Sequence, residues 1–234
     1  LTDVKVESCD LTDKGVVSTI ALENGKQEKI QTEIVLSAVG RRGVLEGLNL
    51  EKTKVEVDRG FVKVDKLMRT AEPNVYAIGD IVPTPALAHC ASAEGIVAVE
   101  HIAGRNPRPI NYDHVPNATY TDPEVASVGL TERKAKERGY EVKIGKFPFT
   151  ANSKAKILGE AGGLVKYVSD SKYDELLGVH IVGPKATELI AEACAALELE
   201  ATSESIAKTI HAHPTLSEAM MEAAEDVHGG SIHQ

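Results

Sequence analysis

Five short apolar runs, separated by turn residues and followed by an alanine-rich helical pattern, occupy most of residues 115–210. The runs lie near Ala118–Thr121, Val125–Gly129, Val142–Phe149, Leu164–Val168 and Leu176–Ile181. Their length and their β-branched and aromatic content are those of strands. Between the second and third, Thr131 is a good N-cap for a helix running to Arg138 and Gly139. Ala186–Leu199 then sets Leu189, Ile190, Ala193 and Leu197 on one broad face, and a shorter helix is expected over Ser203–Ile210. Such faces have to be covered, and antiparallel strands with helices beside them describe an α+β layer fold. The alanine content of the longer helix also suits a contact between subunits.

Upstream the pattern changes. Val4–Glu7 alternates, Gly15 opens Val16–Leu22, and Glu23–Lys26 is a hairpin turn, which together predict a small β-meander. Glu33–Val39 has the composition of a buried strand ending at Gly40, Arg41, Arg42 and Gly43. That turn either offers amides and guanidinium groups to a phosphate or is simply solvated. Phe61–Val64 and Val75–Ile78 are expected strands, the second ending at Gly79 and Asp80, and Ala86–Gly104 is expected to be helical. A strand that passes through Gly-Asp into a helix start is a place for a nucleotide cofactor. There the carboxylate accepts from sugar-like hydroxyls while helix amides face a polar tail. A capping aspartate is the plainer account of Asp80. Gly104–Pro109, with two prolines and no apolar periodicity, is the clearest linker.

At 234 residues the chain is long enough for one large or two modest domains. Its 26 Lys and Arg against 35 Asp and Glu, a net charge of −9, argue against a nucleic-acid or anionic-membrane surface. No apolar run approaches the roughly 20 residues of a membrane span. Cys9, Cys90 and Cys194 are far apart and without metal spacing, which suits packing roles in a reducing compartment. Leu1–Val6 is neither a methionine start nor a signal peptide, so a piece of a longer polypeptide is expected.

The sharpest chemical pattern is His211-Ala212-His213-Pro214-Thr215-Leu216-Ser217-Glu218. Thr215 and Glu218 form a T-x-x-E capping box leading into Ala219–Ala224. Pro214 restrains the entering backbone and keeps His213 outside the helix. A carboxylate one turn from an imidazole holds one ring nitrogen protonated and leaves the other free as a base. An ordinary helix start with a histidine nearby has the same pattern.

Four stretches, in the same order as in the family, resemble the flavin-dependent pyridine nucleotide-disulfide oxidoreductases. They are Val39-Gly40-Arg41-Arg42; Asn74-Val75-Tyr76-Ala77-Ile78-Gly79-Asp80 with Leu87-Ala88-His89 and Glu94-Gly95; Phe147-Pro148-Phe149-Thr150-Ala151-Asn152; and His211 to Glu218. Pro85–His89 with Glu94-Gly95 favours the lipoamide-oxidising branch. The resemblance covers essentially the whole chain. It implies the end of a FAD/NAD(P)-binding domain followed by an α+β dimerisation (interface) domain, a class of α/β plus α+β, with divisions at 1–39, 40–110 and 111–234.

The resemblance also implies that Gly40 lies against NAD, that Asp80 binds the ribityl hydroxyls of FAD, and that backbone groups of Ala86, Leu87, Ala88 and His89 line the flavin site. His213 matches the family's acid/base and Glu218 its orienting carboxylate, while His211 keeps a structural role. A homodimer follows, with His213 opposite the redox disulfide and flavin of the other subunit. The implied partners are lipoyl domains of 2-oxo acid dehydrogenase or glycine cleavage complexes, in a bacterial cytoplasm or else a mitochondrial or plastid matrix. The family's Cys-x-x-x-x-Cys pair and its two Gly-x-Gly-x-x-Gly fingerprints have no counterpart in this sequence. The expectation is therefore a C-terminal portion that supplies the base and half a flavin site, retains little or no FAD and is inactive alone. A stand-alone, non-catalytic dimerisation module and a glutathione-reductase-like relative are the alternatives.

Overall fold

The computed structural model describes residues 1–233, which fall into two compact units, Leu1–Val44 and a second beginning at Leu45. The first is an antiparallel meander of β1 (Lys5–Thr12), β2 (Gly15–Ala21) and β3 (Gln27–Thr32), in that spatial order. Gly15 has φ +110°, and a Cβ there would lie 2.2 Å from Thr32 O, so only glycine lets β2 begin against the end of β3. Two expectations fail in this unit. Glu33–Val39 forms no strand and is exposed, because an apolar run becomes a strand only when a neighbour takes up its backbone groups, and no described residue pairs with it. Cys9 is exposed on β1, its Sγ 3.4 Å from Ser18 Oγ, and packs in no core.

The second unit opens with a 3-10 turn at Leu50–Lys52 and the short hairpin β4 (Val57–Asp58) and β5 (Phe61–Val62), then a further 3-10 turn at Gly79–Ile81 and helix α1 (Ala88–Ile102). The strand expected at Val75–Ile78 reduces to a single bridge between Arg69 and Tyr76. Val62, Ala77 and Val82 are too few to bury a longer ladder and make only a small core of their own. The Gly104–Pro109 segment has no regular structure, yet it is tied down: Pro107 is buried and Arg108 pairs with Glu198 at 2.6 Å.

Beyond it lies the α+β layer that the five runs predict. Strands β6 (Asn117–Thr119), β7 (Glu124–Gly129), β8 (Val142–Pro148), β9 (Leu164–Asp170) and β10 (Leu176–Gly183) form one antiparallel sheet of order β6-β7-β10-β9-β8. The helices are α2 (Glu132–Glu137), α3 (Ser153–Leu158), α4 (Ala186–Glu198), α5 (Ser203–Ala207) and α6 (Glu218–Asp226). Helix α4 packs on β7 and β10, and α6 on β8 and β9. Val165, Tyr167, Val179 and Ile181 point into that covered face and are fully buried. Val168 and Leu177 point to the other face, where they pack with Leu130 and with Ala135 of α2. Strands covered on both faces lose the polar alternation of a surface strand, which is why β9 and β10 are so apolar. Gly145 on β8 lets α6 come close: a Cβ there would lie 2.1 Å from Ala223 O and 2.7 Å from the backbone N of Val227.

Candidate active site

The loop from α5 to α6 brings His213 and Glu218 together. His213 Nδ1 lies 2.8 Å from Glu218 Oε1, so Nδ1–H donates to the carboxylate, and Nε2 has no partner among the described residues on an imidazole 69% exposed. The second carboxylate oxygen, Oε2, accepts the Thr215 N–H at 2.8 Å. The buried Asn152 donates its Nδ2–H to Thr215 O at 3.0 Å, while its Oδ1 accepts from Ala155 N–H at 2.9 Å and so caps α3. The same side chain therefore fixes a helix start and the dyad's loop. The His213-Pro214 peptide is cis.

The capping box is only half formed. Glu218 reaches back to the Thr215 N–H as expected, but α6 begins at Glu218, with Ser217 in the cap position. Thr215 therefore stands too far ahead of the helix to cap it, and its hydroxyl donates to Ala212 O at 2.6 Å, closing the preceding turn. Burial pushes the Glu218 carboxyl up. The Thr215 N–H, the hydrogen bond and charge of His213 and the charge of His233 outweigh it, and the group stays below the usual carboxylate value. His211 has no free ring nitrogen, since Nδ1 faces Thr209 O at 2.8 Å and Nε2 faces Glu192 Oε1 at 2.9 Å.

Asp80 sits elsewhere in the same unit, exposed, with no hydrogen bond or ion pair among the described residues. It does not cap α1, whose N-cap is Leu87, so the plainer account of this aspartate falls. Its turn is anchored by Glu94. That fully buried carboxylate accepts the Gly79 N–H at 2.7 Å and the Tyr112 hydroxyl at 3.1 Å, and the Cys90 thiol lies 3.6 Å away. Burial and the Glu94 charge push the Cys90 thiol up to about 11, which keeps it protonated and unreactive. No side chain caps α1, so its first amides remain open beside the Gly79–Ile81 turn that packs on it.

Ala86 and Leu87 are half-buried there, while Ala88 and His89 are exposed, with His89 Nε2 2.9 Å from Pro116 O. A free carboxylate on a rigid turn next to uncapped helix amides fits a group with hydroxyls on one side and acceptor oxygens on the other, as FAD has. Gly40 belongs to the first unit, at φ +110° and exposed. No described contact joins Asp80 to the His213 dyad. Sequence patterns give no role to Asn152, Glu94 or Glu222. The available signal is an acid on an apolar helix face, as with Glu94 among Cys90, Val97 and Ala98.

Two family profiles match the chain: pyridine nucleotide-disulphide oxidoreductase over residues 1–95, and the dimerisation domain of the same oxidoreductases over residues 115–224. The chain is 54% identical over 215 residues to a dihydrolipoyl dehydrogenase of Thermus scotoductus, an overlap of 91% of this chain and 46% of that protein. It is 47% identical over 231 residues to a mitochondrial dihydrolipoyl dehydrogenase of Pisum sativum, covering 98% and 46%, and 47% identical over 222 residues to a leghemoglobin reductase of Glycine max, covering 94% and 42%. Among solved structures, LpdA from Mycobacterium tuberculosis matches with a TM-score of 0.84 at 28% identity, over 95% of this chain and 48% of that one. The chain thus spans about half the length of the curated relatives it matches.

Proposed function

The chain belongs to the pyridine nucleotide-disulphide oxidoreductase family, and from that premise we propose that it is the C-terminal portion of a dihydrolipoyl dehydrogenase and supplies its acid/base. The observation that carries this is the 2.8 Å bond from His213 Nδ1 to an ionised, loop-locked Glu218, which leaves Nε2 on an exposed ring with no partner among the described residues.

A dihydrolipoyl thiol, like other alkyl thiols, ionises well above neutrality, and only the thiolate attacks a disulfide. His213 Nε2 takes that proton as the thiol attacks, and a mixed disulfide forms as the attacked S–S bond breaks and its other sulfur leaves as a thiolate. Glu218 keeps the ring oriented and stabilises the imidazolium that forms. The disulfide under attack is not built from Cys9, Cys90 or Cys194, all of which are free thiols. It comes from the rest of the enzyme. The matched dimerisation domain implies a homodimer, and in this account His213 works across its interface on the partner's disulfide. FAD, when bound, supplies the two-electron acceptor that passes reducing equivalents to NAD. Asp80 would hold its ribityl hydroxyls, with Glu94 fixing the turn and the backbone of Ala86, Leu87, Ala88 and His89 lining the site, while Gly40 would lie against NAD. The protein partners would be lipoyl domains of a 2-oxo acid dehydrogenase or glycine cleavage complex. The relatives include bacterial and mitochondrial proteins, and no helix of the described residues is long and apolar enough to cross a membrane.

The test is His213→Gln in the full-length protein, assayed with dihydrolipoamide and NAD at neutral pH. Turnover is expected to fall about 100-fold or more, the usual scale for removing a general base. A loss of only a few-fold would contradict the assignment.

A further inference from the structure

Glu222 lies one turn beyond Glu218 on α6 and is the more deeply buried of the two, its side chain 2% exposed against 18%. Carboxylates four residues apart on a helix repel, and a buried one persists only where donors compensate it. Glu218 has Thr215 N–H and His213. Glu222 has a second set: the Ile232 N–H at 2.7 Å, the His233 N–H at 3.4 Å, and the His233 ring through Nδ1. The chain reaches it by reversing direction after α6 at Gly229 and Gly230, whose φ of +116° and +148° suit glycine.

His213, Glu218, Glu222 and His233 then line one small cleft of about 40 Å³ with Phe147 and Asn152. From the elements packed on α6, β8 contributes Lys143 and Lys146, both exposed; β9 contributes Lys166, paired with Glu132, and Asp170; α5 contributes Glu204, paired with Lys208 just beyond its end; and α3, beside the dyad's loop, contributes Lys154 and Lys156. Glu225 and Asp226 close α6, Asp226 accepting the Lys146 N–H. None of these is hydrogen-bonded or ion-paired to Glu218 or Glu222 among the described residues, so His213 and His233 are the imidazoles that compensate the two acids.

We propose that Glu222 and His233 form a second carboxylate–imidazole pair that positions the His213–Glu218 dyad and sets the charge around it. Both are positioning residues, and the inference rests on His213 being the acid/base. Glu222 places a second carboxylate one turn from Glu218 and pairs with His233, whose charge also helps to hold the Glu218 carboxyl down.

The experiment is an NMR titration of the His213 ring in this chain, with labelled histidine, in the wild type, in Glu222→Gln and in His233→Ala. Neither variant alters the dyad itself, and the His233 ring is 68% exposed, so its removal spares the core. Loss of the Glu222 charge, a carboxylate one turn along the helix from Glu218, is expected to lower the His213 midpoint. Loss of His233 is expected to raise it. Unmoved midpoints, or shifts in the same direction, as general loosening would give, overturn the proposal. Should Glu222→Gln fail to fold, the sign for His233→Ala decides alone: a rise supports the pair, and a fall or no change overturns it. Turnover of His213→Gln is a separate readout. Opposite NMR shifts with undiminished turnover there would remove the catalytic role and leave the pairing, whereas lost turnover with unmoved midpoints would remove only the pairing.

Discussion

Glu218 closes the Thr215 turn, orients His213 and remains ionised while partly buried, all through two oxygens. Glu218→Gln keeps the shape but removes the charge that stabilises an imidazolium, so turnover in the full-length protein is expected to fall about 10-fold or more with little change in KM. Acid stability should follow the depressed carboxyls. Glu132, bonded to Lys136 and then Lys166, is held down to about 2 from 4.5. A folded pKa below the unfolded one means that stabilisation is complete above about pH 4.5 and is lost as pH falls toward 2. Urea midpoints measured from pH 6 to pH 2 should therefore fall, and Glu132→Gln should flatten that decline. Of these residues, His213 and Glu218 are legible in sequence because a proline and a capping pattern frame them. The roles of Glu94 and Glu222 are not, since an acid on an apolar helix face shows only that it is buried, and its donors, Gly79, Tyr112, Ile232 and His233, are distant in the chain.

Among the elements, the strands of the interface sheet are legible because β7, β9 and β10 carry their own apolar runs, and α2 carries a real cap, Thr131 Oγ1 accepting from Lys134 N–H at 3.2 Å. Glu33–Val39 has the same composition and still fails, because a strand depends on a neighbour that local pattern does not encode. Helix α3, only six residues long, has too few turns to show a period, and its start depends on Asn152. The contact of α6 with β8 gives a direct test. Gly145→Ala would drive a methyl into the backbone of α6, an overpacking cost of about 1–3 kcal/mol and a Tm drop of roughly 3–10 °C by calorimetry. An unchanged Tm would mean that α6 does not sit so close to β8.

For the molecule as a whole, the dimerisation domain and the proposed flavin contacts make different demands. The chain is expected to sediment as a dimer, since the domain matched over residues 115–224 is the one relatives use to dimerise. It is expected to retain little FAD, since it has Asp80 and the α1 amides but no glycine-rich cradle for the pyrophosphate. Fluorescence titration showing tight FAD binding by this chain would reverse that second expectation. The central claim is that His213 removes the proton from a substrate thiol, and a pH series of dihydrolipoamide turnover tests it most directly. In the full-length protein, the deficit of His213→Gln should be about 100-fold or more near neutrality and should shrink as pH rises toward the thiol's own ionisation, where no base is needed. A small deficit, or one that stays constant across the series, would contradict the account.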